Sequence, residues 1–263
     1  MANNSEKEDN LAPKTLYKYT GIRFISSCID NGVYASELNY LNDPYESLGI
    51  EYPEDYRVVC LTKSPLAMLM WAYYGNHQGC CIEYEIDPSL YENNILRPVQ
   101  YIDNYFDRQE SNNEELVENL YYKGSEWDRE KEFRAVYYLD NANGNFWKIT
   151  DKSIFLKARV KSVTFGLSPV VNIDYQRALQ LLIKINKNNP NEIAIRKCKL
   201  QSSRYGLEFD KQFKPEKELD KVEAELDERS KRDGVISREA YEKTQEFISS
   251  IGHVKVSDLK IEE

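Results

Sequence analysis

The chain has 263 residues, 41% of them hydrophobic, and a formal net charge of −9 at pH 7. It can therefore bury the core of one domain and still carry an appendage. It contains no run of about 18 apolar residues, so no membrane span is predicted. The acidic balance argues against broad binding to nucleic acid, because phosphate contacts need a basic field.

The cysteines and the N-terminus indicate the compartment. The five cysteines are odd in number, mostly lie in apolar runs and lack CxxC spacing. This pattern is typical of reduced core cysteines and predicts neither a disulfide framework nor a zinc site. The first ten residues are polar and lack the basic and apolar regions of a signal peptide. We therefore expect a cytoplasmic protein with no metal.

The first part of the chain predicts a tail and short elements. Residues 1–13 have the composition of a disordered tail. A strand is predicted at 16–19, a brief helix at 22–29 and extended structure at 33–36. Asn42-Asp43-Pro44 predicts a rigid turn, because the residue before proline avoids the helical region and Asn and Asp side chains bond their own backbone.

The stretch from 58 to 87 predicts a strand, a helix, a tight turn and a second strand. Ser64 is expected to cap the helix, Pro65 to open it and Gly75-Asn76 to end it. In the second strand, Ile82, Tyr84 and Ile86 alternate with polar residues, which predicts one apolar face. The apolar residues at helical spacing predict that the helix packs on a sheet through Leu66, Leu69, Met70 and Tyr73.

Further elements are predicted before residue 213. They are a strand at 96–101, a helix at 114–122, a strong strand at 131–139, a hairpin loop at 140–153, strands at 154–156 and 160–165, a helix at 174–185, and closing strands at 193–200 and 207–209. At about Phe213 the composition becomes strongly charged, and a second helix is expected at 237–251.

These patterns together predict an α+β fold. We expect a body at 14–213 with a mixed, curved sheet and short helices, followed by a charged helical arm at 214–263. The arm could dock to the body, bind a protein partner or mediate self-association, or it could be a solvated helix without a specific role.

Four polar groupings are candidates for chemistry, and each has an ordinary structural alternative. Lys18 could be solvated, Asp43 could only form its turn, and His77 could cap the helix. Glu130, Glu132 and Arg134, spaced by two, could be a salt-bridged sheet edge, and the tyrosines could form a half-buried sheet surface. The predicted ligand-binding residues are Tyr17, Lys18, Ser36, Asn42, Asp43, Trp71, Tyr74, His77 and Arg134, and the predicted catalytic residues are Glu132 and Glu130.

A carboxylate in an aromatic cleft suits one reaction in particular. It can hydrogen-bond a ribose hydroxyl and stabilise positive charge on the sugar carbon as a base departs, which cleavage of NAD requires. Aromatic rings would stack on the nicotinamide. The chain lacks GxGxxG, P-loop and HExxH motifs, so no Rossmann dehydrogenase, NTPase or zincin is predicted.

Several segments together resemble a known bacterial family. LYKYTG, YASELNYLNDPYES, the 60–87 stretch and SEWDREKEFRAVYY resemble domain of unknown function 2971 over about residues 16–209. This resemblance implies an accessory or effector protein, often in defence, without a settled activity.

The order of elements also resembles the ADP-ribosyltransferase superfamily. That resemblance implies Tyr17 or Lys18 at its first position, Tyr74 or Ser36 at its second and Glu132 at its third, with Glu130 completing an ExE. The chain departs from the superfamily because it lacks the usual His or Arg at the first position and a Ser-Thr-Ser motif.

Three functions follow as hypotheses. The first is a bacterial defence effector or toxin that transfers ADP-ribose from NAD or hydrolyses NAD, with Glu132 as the electrostatic residue. The second is a non-catalytic sensor whose cleft binds a nucleotide, dinucleotide or phage component. The third is a nuclease that holds magnesium through Asp43, Glu46, Glu83 or Glu130.

Overall fold

A computed structural model describes residues 12–48, 50–104, 113–138, 144–151, 153–190 and 192–233. The predicted tail at 1–13 lies almost wholly outside these residues, as do part of the predicted hairpin loop and all of the second arm helix at 237–251. The fold class is α+β, with a mixed sheet, as predicted. Among the described helices, none has both the length and the apolar character that crossing a bilayer demands.

The described elements comprise fourteen strands and six α-helices. The strands are β1 (Thr15–Thr20), β2 (Val33–Tyr34), β3 (Ser36–Glu37), β4 (Tyr56–Thr62), β5 (Cys80–Glu85), β6 (Leu96–Pro98), β7 (Gln100–Ile102), β8 (Tyr122–Gly124), β9 (Glu132–Tyr138), β10 (Trp147–Ile149), β11 (Ile154–Leu156), β12 (Arg159–Phe165), β13 (Ala194–Leu200) and β14 (Leu207–Phe209). The helices are α1 (Ile25–Asn31), α2 (Met68–Gly75), α3 (Ser89–Glu92), α4 (Asn113–Asn119), α5 (Ile173–Asn188) and α6 (Pro215–Asp233).

Nine strands form the main sheet. Its order is β14-β13-β12-β5-β1-β4-β9-β6, and β3 also pairs with β4. The sheet is mixed because β12 and β13 run parallel while the other pairs are antiparallel. The parallel pair is joined through α5, as a parallel connection requires a crossover. Two smaller sheets contain β10-β11-β2 and β7-β8.

The main core lies on one face of this sheet. The apolar face predicted for the second strand is confirmed, since Ile82 and Tyr84 of β5 are fully buried in this core. Leu179 and Leu182 of α5 pack there too.

The opposite face of the sheet has an apolar cluster that includes Tyr56 and Val58 of β4. Next to it the same face carries Thr62 of β4 and Glu132 and Arg134 of β9, and this alternation along the strands positions the candidate site.

Helix α2 ends as predicted but begins later and buries a different face. Asn76 follows it in the left-handed conformation with φ of 48°. The helix begins at Met68, and the Ser64 hydroxyl instead accepts a hydrogen bond from the backbone of Leu66 before it. Of the predicted buried face, Met70 is buried as predicted, but Leu69 and Tyr73 are exposed, and Trp71 is buried instead.

The start of the predicted arm belongs to the core. Val222 of α6 is buried in the main hydrophobic cluster, where α6 packs against α5. Glu218 of α6 accepts hydrogen bonds from Tyr175, at 3.0 Å, and from Lys197, at 2.6 Å. The described part of the arm, residues 214–233, therefore packs against the body. At 16 residues, α5 is longer than the short helices expected in the body.

Candidate functional site

A cleft opens where two strands share one edge of β4. Strand β1 pairs with this edge where Tyr17 lies opposite Thr62 of β4. Strand β3 pairs with the same edge further along, where Ser36 lies opposite Val58 of β4. Cys60 lies between these contacts, and its carbonyl accepts a long hydrogen bond of 3.5 Å from Lys18 Nζ. The cleft has a volume of about 220 Å³. Its lining residues are Tyr17, Lys18, Tyr19, Ser36, Tyr40, Leu41, Asn42, Cys60, Leu61, Thr62, Met70, Tyr74, Lys123, Glu130 and Glu132.

A buried ion cluster forms the floor of the cleft. Lys123 Nζ lies 2.7 Å from a Glu130 oxygen, 3.4 Å from Glu132 and 3.8 Å from Glu46. Arg134 Nε donates to Glu132 across 2.7 Å, and the Arg134 Nη2 atom donates to Glu46. All five side chains are almost completely buried. Such a cluster persists only when each charge is paired, because desolvating an isolated charge costs several kcal/mol.

Two strands and two turns supply these charges. Glu132 and Arg134 lie two residues apart on β9 and so share a face, as predicted, while Lys123 comes from β8. Glu130 was predicted on the same strand but ends a 3-10 helix at Ser125–Glu130. Lys131, with φ of 45°, turns the chain from this helix into β9.

The predicted turn at Asn42-Asp43-Pro44 supplies Glu46. Asp43 Oδ1 accepts a hydrogen bond from the backbone of Tyr45 at 3.0 Å, and the Asp43 carbonyl accepts one from the backbone of Glu46 at 3.1 Å. The Asp43 side chain therefore bonds its own backbone, as predicted. This turn brings the Glu46 carboxylate to Arg134.

On the side that faces the cleft, the Glu130 carboxylate accepts hydrogen bonds from neutral groups. The Tyr74 hydroxyl donates to Glu130 Oε1 at 2.7 Å, and Asn42 Nδ2 donates to the same oxygen at 3.3 Å. The Thr62 hydroxyl donates to the Glu130 carbonyl at 2.6 Å, which fixes the backbone. Lys123 holds the other carboxylate oxygen. Glu130 is thus oriented from both sides.

Burial sets the protonation of the floor. Burial, together with the charge of Glu130, raises the pKa of Glu132 to about 7, although Lys123 and Cys60 act in the opposite direction. Burial alone would lower the pKa of Lys123, but Glu132 and Glu130 outweigh it and raise that pKa. Burial lowers the pKa of Arg134 to about 9, still above neutral. Both cations therefore remain charged while Glu132 titrates near neutral pH.

Tyr74 and Cys60, which also line the cleft, stay neutral. Burial, followed by the charge of Glu130, raises the pKa of Tyr74, so its hydroxyl remains a donor. Burial and the charge of Glu132 raise the pKa of Cys60 well above its ordinary value. A nucleophilic role of Cys60 would require the thiolate, which this environment disfavours.

The structure brings seven of the eleven predicted site residues to the cleft. They are Tyr17, Lys18, Ser36, Asn42, Tyr74, Glu130 and Glu132. Arg134 lies beneath the lining, in the ion cluster. Asp43 lies in its turn and lines an adjoining cavity together with Glu46.

Trp71 and His77 are not part of the cleft lining. Trp71, 1% exposed, belongs to a separate apolar cluster, where its indole donates to the Pro65 carbonyl at 3.0 Å. Its ring also meets Tyr19 edge-on, with 5.1 Å between centroids. His77 forms the turn after α2 with φ of 59°, and its carbonyl accepts from the backbone of Ser168. Their placement in the aromatic cleft is therefore corrected.

Sequence reasoning missed Lys123, Thr62 and Cys60. Lys123 pairs with all three carboxylates of the ion cluster. In the sequence, however, it resembles any solvated lysine next to a glycine. Its carboxylate partners lie 7, 9 and 77 residues away. The only available signal was the alternation of β4, which puts Cys60 and Thr62 on the same face.

The four acids proposed for magnesium are divided between two places. Glu83 lies on β5, where it accepts hydrogen bonds from Ser162 at 2.6 Å and from Arg196 at 3.1 Å. Glu46 and Glu130 are held by the cations of the floor. Within the described part of the chain, no group of three or more His, Cys, Asp or Glu side chains has metal-binding geometry.

Comparison of this chain with protein-family models, with characterised proteins and with solved structures finds no match.

Proposed function

We propose that the cleft binds NAD and cleaves the bond between nicotinamide and ribose, either by ADP-ribosyl transfer or by hydrolysis. The observation that carries this proposal is the meeting of Glu130 and Glu132, late in the chain, with Tyr17, Tyr74 and other early residues in one small cleft. This is the arrangement expected if a carboxylate stabilises a sugar cation beside aromatic rings.

The size of the cleft favours one half of the dinucleotide. At about 220 Å³ it is smaller than pockets for drug-sized ligands, which span roughly 300–1,000 Å³. Nicotinamide and its ribose would enter, and the remaining nucleotide would lie outside. Asn42 and Ser36 offer hydrogen bonds to the amide or ribose, and Lys18 offers a positive charge to the pyrophosphate.

Within this proposal the two acids have different roles. Both oxygens of Glu132 accept hydrogen bonds from Arg134, so the role of Glu132 is to pair with this cation in the floor of the cleft. Glu130 has bonds to Tyr74 and Asn42 on the cleft side. The electrostatic role therefore moves from Glu132 to Glu130.

The reaction balances without a further reagent. The glycosidic bond breaks with its electron pair on the nicotinamide nitrogen, which leaves as neutral nicotinamide. The oxygen of water, or of an acceptor hydroxyl, forms the new bond to the sugar carbon and loses its proton to solvent. The Glu130 carboxylate stabilises the positive charge in between.

The experiment is release of nicotinamide from NAD, followed by chromatography, with candidate acceptors present or absent. Glu130→Gln should reduce release by about a hundredfold or more, as expected for loss of a dominant electrostatic group. Glu85→Gln, on an exposed part of β5, is the matched control and should leave release unchanged. Absence of release by the native protein, or release unaffected by Glu130→Gln, contradicts the proposal.

A second candidate is a non-catalytic module that binds a nucleotide or phage component. One observation favours it: Lys123 and Arg134 already bind the acids, each at 2.7 Å, which gives a preformed cleft rather than a reactive carboxylate. Calorimetric binding of NAD or another nucleotide, with the ligand recovered unchanged, would support it. Conversion of the bound ligand would exclude it.

The biological setting is part of the same proposal. The resemblance to domain of unknown function 2971 supports a bacterial effector or toxin, often in defence. All five cysteines are free thiols, which suits a reducing cytoplasm. Self-association or a protein partner at 214–263 stays a prediction. It is tested by comparing the solution mass of the whole chain with that of a version ending at Asp233, which keeps the packed helix α6.

A further inference from the structure

A second, larger cavity lies between the end of β13 and the start of α6. Its volume is about 660 Å³, and its lining shares no residue with that of the cleft. Leu167, Leu200 and Phe213 contribute apolar surface. The charged side chains of the lining include the lysines Lys197, Lys199, Lys214, Lys217 and Lys221.

The charge of this cavity is opposite to that of the chain. Five lysines and two carboxylates line it, whereas the whole chain carries a net charge of −9. Of the two carboxylates, Glu218 already accepts from Lys197 and Tyr175. Asp210 accepts from the backbone of Gln212 at 3.0 Å. The lining therefore has an excess of positive charge.

Three of the lysines lie together at the beginning of α6. Lys217 lies three residues after Lys214, and Lys221 lies four residues after Lys217. The three lysines therefore share one side of the helix. Like charges at these spacings repel each other, and a bound anion would relieve the repulsion. The helix begins at Pro215, so the positive end of its dipole adds to the same field.

We propose that this cavity binds a small anion with several phosphate groups, such as a polyphosphate or a nucleoside triphosphate. Its volume falls within the roughly 300–1,000 Å³ of small-molecule sites. A long nucleic acid would also meet the rest of a chain whose net charge is −9, which disfavours broad contact with phosphates. The lysines bind the phosphates as point charges, and Phe213 and Leu200 offer apolar surface to a base.

The test is titration calorimetry of the full chain with inorganic tripolyphosphate, with ATP and with a short single-stranded DNA, at about 150 mM salt, where weak surface attraction is screened. Tripolyphosphate and ATP should bind. Replacing Lys214, Lys217 and Lys221 by Gln together should weaken binding by about tenfold or more, since each charge-assisted contact contributes. Arginine at the same three positions should restore it to within about threefold.

A matched control removes three charges elsewhere. Lys14→Gln, Lys187→Gln and Lys231→Gln change exposed lysines outside the lining, and together they should leave the affinity unchanged. If both triple variants lost the same affinity, binding would depend only on the net charge of the chain, and the proposal would be overturned. Absence of binding to the native chain would also overturn it, as would tighter binding of the DNA than of tripolyphosphate.

Discussion

The Tyr74 hydroxyl donates a 2.7 Å hydrogen bond to the Glu130 carboxylate across 56 residues of chain. One partner comes from α2 and the other from the turn before β9. This single contact joins the aromatic helix to the acidic floor of the cleft.

Tyr74→Phe should lower the free energy of unfolding by about 1–2 kcal/mol, because it removes a hydrogen bond to a charged group. Tyr73→Phe, at a neighbouring side chain that is 61% exposed, is the matched control and should change it by less than about 0.5 kcal/mol. Urea denaturation measures both. Equal effects would show that the Tyr74 contact does not stabilise the fold.

Lys123→Met should destabilise the protein by about 3–5 kcal/mol, because it leaves the buried Glu130 carboxylate without its cation. Lys131→Met removes an exposed lysine that pairs with Asp128 at 3.5 Å, and it should cost less than about 1 kcal/mol. Chemical denaturation at pH 7.5 compares the two. A loss in Lys123→Met no larger than in Lys131→Met would contradict the buried ion cluster.

Glu132 should make stability fall as pH rises. Its pKa is raised from 4.5 to about 7 in the folded protein, so between these values the folded state holds a proton that the unfolded state has lost. Its contribution is therefore complete below about pH 4.5 and is lost as pH rises through 7, a change of about 3 kcal/mol. The unfolding free energy of the native protein minus that of Glu132→Gln should therefore fall between pH 5 and 7.5.

Glu218 is the control, because its contribution to stability should change with pH in the opposite direction. Burial raises its pKa, but the hydrogen bond and charge of Lys197 and the hydrogen bond from Tyr175 outweigh burial, so its pKa is lowered. Its contribution is present above the ordinary carboxyl pKa and is lost as pH falls below it. The difference between the native protein and Glu218→Gln should therefore grow with rising pH. The same slope in both variants would refute the assignment for Glu132.

Val222→Ala should lower the free energy of unfolding by about 1–2 kcal/mol, because Val222 is 2% exposed and packs in the main core. Val170→Ala, at a position that is 45% exposed, is the matched control and should cost less than about 0.5 kcal/mol. Thermal or urea unfolding compares them. If both costs were equally small, α6 would contribute little to the core.

Gly166→Ala should destabilise by about 1–3 kcal/mol, as overpacking does. A methyl group there would lie 2.2 Å from the His77 carbonyl oxygen, so the backbone would have to shift. At Gly75 the same methyl group meets nothing within 4 Å, so Gly75→Ala should be neutral or stabilising by up to about 1 kcal/mol. A neutral Gly166→Ala would show that this turn can move freely.

Alternation of apolar and polar residues predicted the sheet well, because each strand has one face in the core. That is why β5 and β9 were recognised and why Glu132 and Arg134 were placed on a shared face. The turn at Asn42-Asp43-Pro44 was also predictable, because its side-chain bonds are local.

Helix α2 was harder to predict because its residues are apolar on nearly every side. Periodicity then cannot say which residues are buried, so Trp71 was placed in the cleft and Leu69 in the core. Partners far apart in sequence were equally hidden, which explains why Lys123 was missed. On α6, the sequence could not place Val222 in the core, because isolated apolar residues on a charged helix do not reveal what they pack against.

The shared edge of β4 has a consequence for finding ligands. A molecule held there would contact backbone near residues 17, 36, 60 and 130 at once, although these segments are spread over more than a hundred residues. Amide hydrogen–deuterium exchange should then slow in all four segments together, and this joint protection would identify a true occupant among candidate compounds without any assay of turnover.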